Sequence, residues 1–218
     1  MRVMVWNVHG FRAGVRAVAA VVQEAQPDVL LLNEARFRWR LRRLARRLGM
    51  RAHHGMHGRR RVPNAILVRP PWRIVEGWSA PLSPTRRMKR RGLVAANVRH
   101  GGERLTVACV HLGVSDPERV RHAREVTDML AGAPPPLVLG GDLNEGPDRP
   151  AARWIAERYF DTFAGNGGDT FPATEPRARI DYVFVTEDLE VTAAQIAESN
   201  GASDHLPLVV ELSPRSPR

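Results

Sequence analysis

The chain has 218 residues, 43% hydrophobic and 26% charged, which excludes a disordered chain and suffices for one domain with a full core. Lysine and arginine number 33 against 23 aspartates and glutamates, a formal net charge of +10 carried mostly by arginine, whose planar fork matches phosphate. That balance favours polyanionic partners, unless a genome composition that enriches Arg, Ala, Gly and Pro together accounts for it; the single cysteine, Cys109, excludes an intramolecular disulfide.

Arg2–Val8 alternates and is rich in Val and Trp, which predicts a strand. Gly14–Ala25 places Val15, Val18, Ala19 and Val22 at helical spacing, and Pro27 closes that helix. Asp28–Asn33 contains Val-Leu-Leu-Leu, the pattern of a strand buried on both faces, so the opening is strand–helix–strand as in α/β folds. Phe37–Leu48 sets Leu41, Leu44 and Leu48 on one face and arginines on the other, with Gly49 as its C-terminal cap. The bland reading of that helix is a solvated basic face over a core stripe; the alternative is direct contact with nucleic acid.

Asn64–Arg69, Trp72–Trp78, Gly92–His100 and Arg104–His111 predict further strands, the last two joined by a Gly101-Gly102 turn. Asp116–Leu130 predicts a helix, Leu137–Gly140 a strand and Ala151–Arg158 a short helix. Ile180–Thr186, Glu190–Ala197 and Leu206–Leu212 predict the closing strands. The basic runs Arg59–Arg61 and Arg86–Arg91 fall in loops, and Ser213–Arg218 is expected to be a flexible tail behind a domain of residues 1–212. No stretch approaches the ~20 apolar residues of a spanning helix, and the opening MRVMVWNVHG does not read as a signal peptide. The expectation is a soluble, cytoplasmic monomer.

Polar residues interrupt this pattern at strand ends: Asn7 with His9, Glu34, His111, Asp142-Leu143-Asn144, and Asp181 with Asp204-His205. Strand-end loops are where α/β proteins place their sites. Carboxylates converging at one edge repel unless a cation sits among them. All-oxygen ligands suit Mg²⁺ or Mn²⁺ rather than Zn²⁺.

The ordered set Trp6-Asn7-Val8, Pro27-Asp28-Val29-Leu30-Leu31-Leu32-Asn33-Glu34, Val110-His111-Leu112, Gly141-Asp142-Leu143-Asn144, Arg179-Ile180-Asp181-Tyr182 and Ser203-Asp204-His205-Leu206-Pro207 resembles the endonuclease/exonuclease/phosphatase superfamily. Deoxyribonuclease I and the exonuclease III-type abasic-site endonucleases belong to it. Short motifs recur by chance, but all six in order over the chain are specific. The resemblance implies a four-layer αββα sandwich of two mixed sheets. It implies Mg²⁺- or Mn²⁺-dependent hydrolysis of phosphodiesters by one in-line water attack, with nucleic acid, DNA first, as substrate.

Carried over by motif, Glu34 would be the principal metal ligand, with Asp204 assisting. Asp142 would orient or deprotonate the attacking water, positioned with Asn7 and Asn144. His205 would meet the scissile phosphate as imidazolium, held by Asp181, and His111 would touch a phosphate oxygen. Arg36 would contact DNA, and Arg86, Arg87, Arg90 and Arg91 would grip the substrate backbone.

There are departures. Asn33 stands where many relatives have Gln, His9 where abasic-site enzymes have Asp, and Ala178 where they have a pocket Trp, which puts abasic specificity in doubt. The alternative is a phosphodiesterase or phosphatase for lipid or small phosphate esters. The Trp-Cys-Asp-Arg motif of inositol polyphosphate phosphatases is missing at Asp181, and Pro70-Pro71-Trp72 with Trp78 is expected to pack within the sheet rather than form an apolar tip.

Overall fold

A computed structural model describes residues 1–57, 60–84, 90–165 and 167–215, and their side chains except over 56–61. The elements run β1 (Arg2–Asn7), α1 (Val15–Ala25), β2 (Val29–Asn33), α2 (Arg38–Leu48), β3 (Arg51–His57), β4 (Arg60–Val68), β5 (Arg73–Pro81), β6 (Gly92–His100), β7 (Glu103–His111), α3 (Asp116–Leu130), β8 (Leu137–Asp142), α4 (Pro150–Ala156), β9 (Phe160–Asp161), β10 (Asp181–Val185), β11 (Leu189–Ile196) and β12 (Leu208–Pro214). The strands form two six-stranded sheets, ordered β11-β12-β1-β2-β4-β3 and β5-β6-β7-β8-β10-β9.

The two-residue period of a strand assigns each side chain to a layer. Every residue of β2 is buried. Val29 and Leu31 face the second sheet, in one core with Val3, Val5, Val107, Val138 and Val183. Leu30 and Leu32 face outward, in a second core with Trp6, Val18, Leu41 and Leu44 beneath α1 and α2. The second sheet repeats the arrangement: Leu93, Val110, Leu139 and Tyr182 pack outward against Ala123 and Val126 of α3 and Ile155 of α4. The layers are therefore helix, sheet, sheet, helix, the expected αββα sandwich. β1–β2 and β7–β8 are parallel, each pair spanning a helical crossover, and the other pairings are antiparallel, so both sheets are mixed.

Where the structure departs from expectation, pairing has overridden local pattern. β3 carries His53, His54 and Gly55 with no apolar alternation, yet it pairs along β4 at the sheet edge. Arg60 and Arg61, expected in a loop, belong to β4 and pair with His57 and Met56. β12 continues to Pro214, opposite Leu189, inside the stretch expected to be tail. Trp72 lies in the inter-sheet core and Trp78 packs, partly buried, against the outer core of the second sheet, as expected of sheet packing. Gly49 takes the left-handed cap of α2 (φ 65°).

β1, β2, β7 and β8 all end at one edge of the sandwich. β6, β10 and β12 run antiparallel to their neighbours, so they begin there. This edge collects the polar strand-end residues.

Gly141, just before Asp142, shows how tightly the edge is built. Its φ is 149°, and a Cβ there would lie 1.8 Å from the backbone oxygen of Val110 on β7. At Gly140 a Cβ would instead meet the ends of the Val5 and Leu31 side chains, at 2.4 and 3.0 Å. Overpacking against side chains costs about 1–3 kcal/mol, and a backbone clash at a glycine-only φ costs more. Gly141→Ala is therefore expected to lower the urea midpoint clearly further than Gly140→Ala; equal midpoints would show that the sheet absorbs the clash.

Candidate active site

Asn7 ends β1 in the first sheet and Asp142 ends β8 in the second. They meet directly: Asn7 Nδ2 donates to Asp142 Oδ2 at 2.9 Å. The same oxygen lies 3.2 Å from His111 Nε2 and 3.9 Å from His205 Nε2. The other oxygen accepts the Asn144 backbone N–H at 2.9 Å. This is an Asx turn, and Asn144, itself left-handed at φ 56°, donates its side-chain amide to Leu112 O. The Asp142 backbone N–H donates to Asn33 Oδ1 at 2.9 Å.

His205 is fixed from three sides. Its Nδ1 is 2.8 Å from Asp181 Oδ2, its backbone oxygen accepts Trp6 Nε1–H at 2.9 Å, and its ring packs on Phe171 with centroids 4.8 Å apart. Burial works against the imidazolium. The Asp181 carboxylate outweighs that, through its charge and its hydrogen bond, with further help from Asp142 and Asp204, and the ring is pushed up to about 9. Burial raises the Asp181 carboxyl, opposed by His205. Burial would also raise Asp142, but the charge and hydrogen bond of His111, and the charge of His205, hold it well below the usual carboxylate range. At neutral pH the site thus presents an imidazolium beside an ionised carboxylate.

These groups open onto a cleft of about 420 Å³. Asn7, Glu34, His111, Asp142, Asn144, Asp204 and His205 line it, together with Arg12, Arg36, Arg40 and Arg91. Asp181 is fully buried. The sandwich edge has therefore brought together Asn7, His111, Asp142, Asn144, Asp181, His205, Glu34, Asp204, Arg36 and Arg91. Arg90 is exposed, and Arg86 and Arg87 lie outside the described residues.

Two groupings could take a cation. Ligand atoms of Asp142, Asp181 and His205 lie within 4.8 Å of one another. A metal there would have to displace the ring proton and break the Asn7 and Asp181 hydrogen bonds, which argues against it. Glu34 and Asp204 suit a hard cation better, because they offer carboxylate oxygens to the open cleft beside the Asn7 amide. Glu34 now pairs with Arg36 (Oε2–Nη2 2.5 Å), whose side chain is 40% exposed and free to swing away. His9 pairs with Asp204, Nδ1 to Oδ1 3.2 Å.

Arg91, expected in a basic loop, lies just before β6 and is buried, with Nη1 2.6 Å from His111 Nε2. Sequence reasoning missed several supporting residues. Asn33 Nδ2 donates to Val110 O and to Asn64 Oδ1, and Asn64 Nδ2 to Gly92 O, at 2.8, 3.1 and 2.8 Å, tying the two sheets together behind the site. Thr170 Oγ1 accepts the backbone N–H groups of Ile180 and Asp181. The signal for Asn64 was a polar residue opening an apolar run, Asn64-Ala65-Ile66-Leu67-Val68; Thr170 and Phe171 had none.

The sequence profile of the Endonuclease/Exonuclease/phosphatase family matches residues 4–205. No curated protein matches the sequence. Among solved structures, the chain is similar to an endonuclease/exonuclease/phosphatase of Beutenbergia cavernae, at 27% identity and TM-score 0.78, over 98% of this chain and 71% of that one. It also shares its fold with a mannosyl-6-phosphatase of Bacteroides thetaiotaomicron, at 19% identity and TM-score 0.83, over 98% of this chain and 99% of that one. TDP2 of D. rerio, solved with a single-strand DNA product, matches at 19% identity and TM-score 0.80, over 98% of both chains.

The Asp181–His205 pair predicts a titration. His205 is raised in the folded protein, so its contribution to stability is complete below about pH 6.5 and is lost as pH rises through about 9. In metal-free protein, the His205 ring signals in NMR should titrate near pH 9. Asp181→Asn removes the largest raising charge while burial, which lowers the ring, remains, so the midpoint should fall clearly below that of the native protein. An unchanged midpoint would remove Asp181 as the cause.

Proposed function

Because the chain belongs to the Endonuclease/Exonuclease/phosphatase family, we propose that it is a divalent-metal-dependent nuclease that hydrolyses phosphodiester bonds, of DNA in the first instance, by in-line attack of water. The observation that carries this reading is the junction at Asp142 Oδ2, where Asn7 and His111 meet one ionised carboxylate with the His205 imidazolium beside it, in a cleft walled by arginines. Glu34 and Asp204 would hold Mg²⁺ or Mn²⁺, which when bound polarises a phosphate oxygen and offsets its charge.

The chain's own groups divide the remaining work. Asp142 receives the attacking water. A carboxylate held this far below its usual range is a weak base, so its first contribution is alignment, with Asn7 and the Asn144 N–H fixing its two oxygens. His205 aims a positive charge at the phosphate oxygens, where negative charge grows as the new P–O bond forms and the old one breaks. Asp181 keeps that ring oriented and protonated.

His111 Nε2 cannot accept from Arg91 and donate to Asp142 at once, although both lie within reach, at 2.6 and 3.2 Å. A phosphate that draws the Arg91 guanidinium to itself leaves His111 Nε2 to Asp142 Oδ2 and the substrate.

Supercoiled, linear duplex and single-stranded DNA, each with Mg²⁺, Mn²⁺ or EDTA, test the reading. Cleavage is expected with metal and not with EDTA, and it should be lost in Glu34→Ala. Asp142→Asn and His205→Ala are each expected to lower turnover by at least about 10²–10³-fold while the circular dichroism spectrum stays that of the native fold. DNA affinity should fall steeply with salt. If the native enzyme hydrolyses bis(p-nitrophenyl) phosphate with metal but leaves every DNA intact, the substrate is a small or lipid ester and the nuclease reading is wrong. No helix among the described residues is long and apolar enough to cross a membrane.

A further inference from the structure

Resting on the nuclease reading, we infer that Phe37, at the lip of the cleft, and Trp39, held with it against Arg40, form a stacking platform for unpaired bases beside the cut phosphate, so that the chain acts on single-stranded or frayed nucleic acid. Both rings lie in the segment that leads from Glu34 into α2. Phe37 lines the catalytic cleft and is 45% exposed; Trp39, two residues on, is 60% exposed. Neither is needed by the fold, because α2 packs through Leu41, Leu44, Ala45 and Leu48.

The rings are exposed but not loose. The Arg40 guanidinium sits 4.8 Å from the Phe37 ring centroid and 5.1 Å from that of Trp39. The same guanidinium donates to the backbone oxygens of Gly10 and Phe11, at 3.0 and 3.1 Å, in the turn that follows Asn7. One arginine therefore ties both aromatic rings to the turn that follows Asn7. Ordered rings with open surface cost little to organise when a flat ligand arrives.

The ligand chemistry follows from the neighbours. Arg12 and Arg36 flank Phe37 in the cleft, and Arg38, Arg42 and Arg46 continue along the exposed side of α2. Aromatic rings set among arginines match a strand that alternates flat bases with phosphates. In an intact duplex the base faces are occupied by their neighbours, so a duplex would engage the arginines alone. A membrane lip would also carry Trp, Phe and Arg. Here the cleft behind the lip is walled mainly by charged and polar groups, with Val114 the aliphatic side chain among the described residues that line it.

The test uses one single-stranded oligonucleotide and a copy in which the residue flanking the cut is abasic. In the native enzyme, removing that base is expected to lower kcat/KM about tenfold. Phe37→Ala should show a similar loss on the intact strand and no further loss on the abasic one, and Phe37→Tyr should restore the difference. Additive losses from the variant and the missing base would overturn the platform.

A second readout needs no cleavage. The fluorescence of Trp39, taken as native minus Trp39→Phe in EDTA, should be quenched by the intact strand and much less by a wholly abasic one. Base-dependent quenching without cutting in metal would leave the platform standing and sink the nuclease reading. Cutting with neither quenching nor coupling would do the reverse. A blue shift of Trp39 on phosphatidylserine vesicles, with no response to the oligonucleotide, would overturn the inference in favour of a membrane lip.

Discussion

The site depends on a hydrogen bond between the ends of two strands that belong to different sheets. Asn7 and Asp142 meet at 2.9 Å only because β1 and β8 finish at the same height on facing layers. Apolar packing between the sheets is plentiful but non-directional, and it would tolerate sliding. The directional constraint comes from the buried asparagines. Asn33 reaches from β2 to Val110 and to the backbone of Asp142, and Asn64 reaches from β4 to Gly92. Buried amides left without partners would cost about 1–3 kcal/mol each, so these bonds fix the relative height of the sheets. Gly141 completes the arrangement by letting the β7 backbone approach where no side chain could fit.

That frame explains why so many ionisable groups can share one edge. Asp142 and Asp181 are both buried, and burial raises both. The histidines compensate them unequally. His205 lies between the two carboxylates and keeps its proton, whereas Asp142 gathers both rings and the Asn144 N–H as well. The outcome is one carboxylate held low at the cleft and one raised behind the ring, a division set by environment rather than by residue type.

Most of the architecture was legible in the sequence, because α2, α3 and the apolar strands carry their period openly. Gly92–His100 and Asp116–Leu130 fall where alternation, helical spacing and turn residues placed them. β3 was hidden because an edge strand held by pairing needs no apolar pattern of its own. The residues at the heart of the site were legible by motif, and Glu34 and Asp142 also end apolar runs and so advertise their cost. Their supports were not. Thr170 and Phe171 reach Asp181 and His205 from outside the named strands and helices, and nothing in their own sequence surroundings marks them.

Arg91 shows what residue type alone conceals. In the sequence it is the last of a basic run, equal to Arg90 beside it; in the fold Arg90 is exposed and Arg91 is buried. Burial lowers its pKa, and the opposing charges of Asp142, Glu34 and Glu118 are spread around it rather than gathered in one ion pair. Its short contact is with a histidine nitrogen rather than with a carboxylate. A guanidinium held by a diffuse field is stabilised without being committed to one geometry, unlike Arg179, which is locked bidentately onto Asp161. On the nuclease reading proposed above, an incoming phosphate would offer Arg91 the planar, charge-assisted partner that the protein withholds. Binding would then turn a tolerated buried charge into a paired one, so the desolvation already met in folding lowers the cost of recognising substrate.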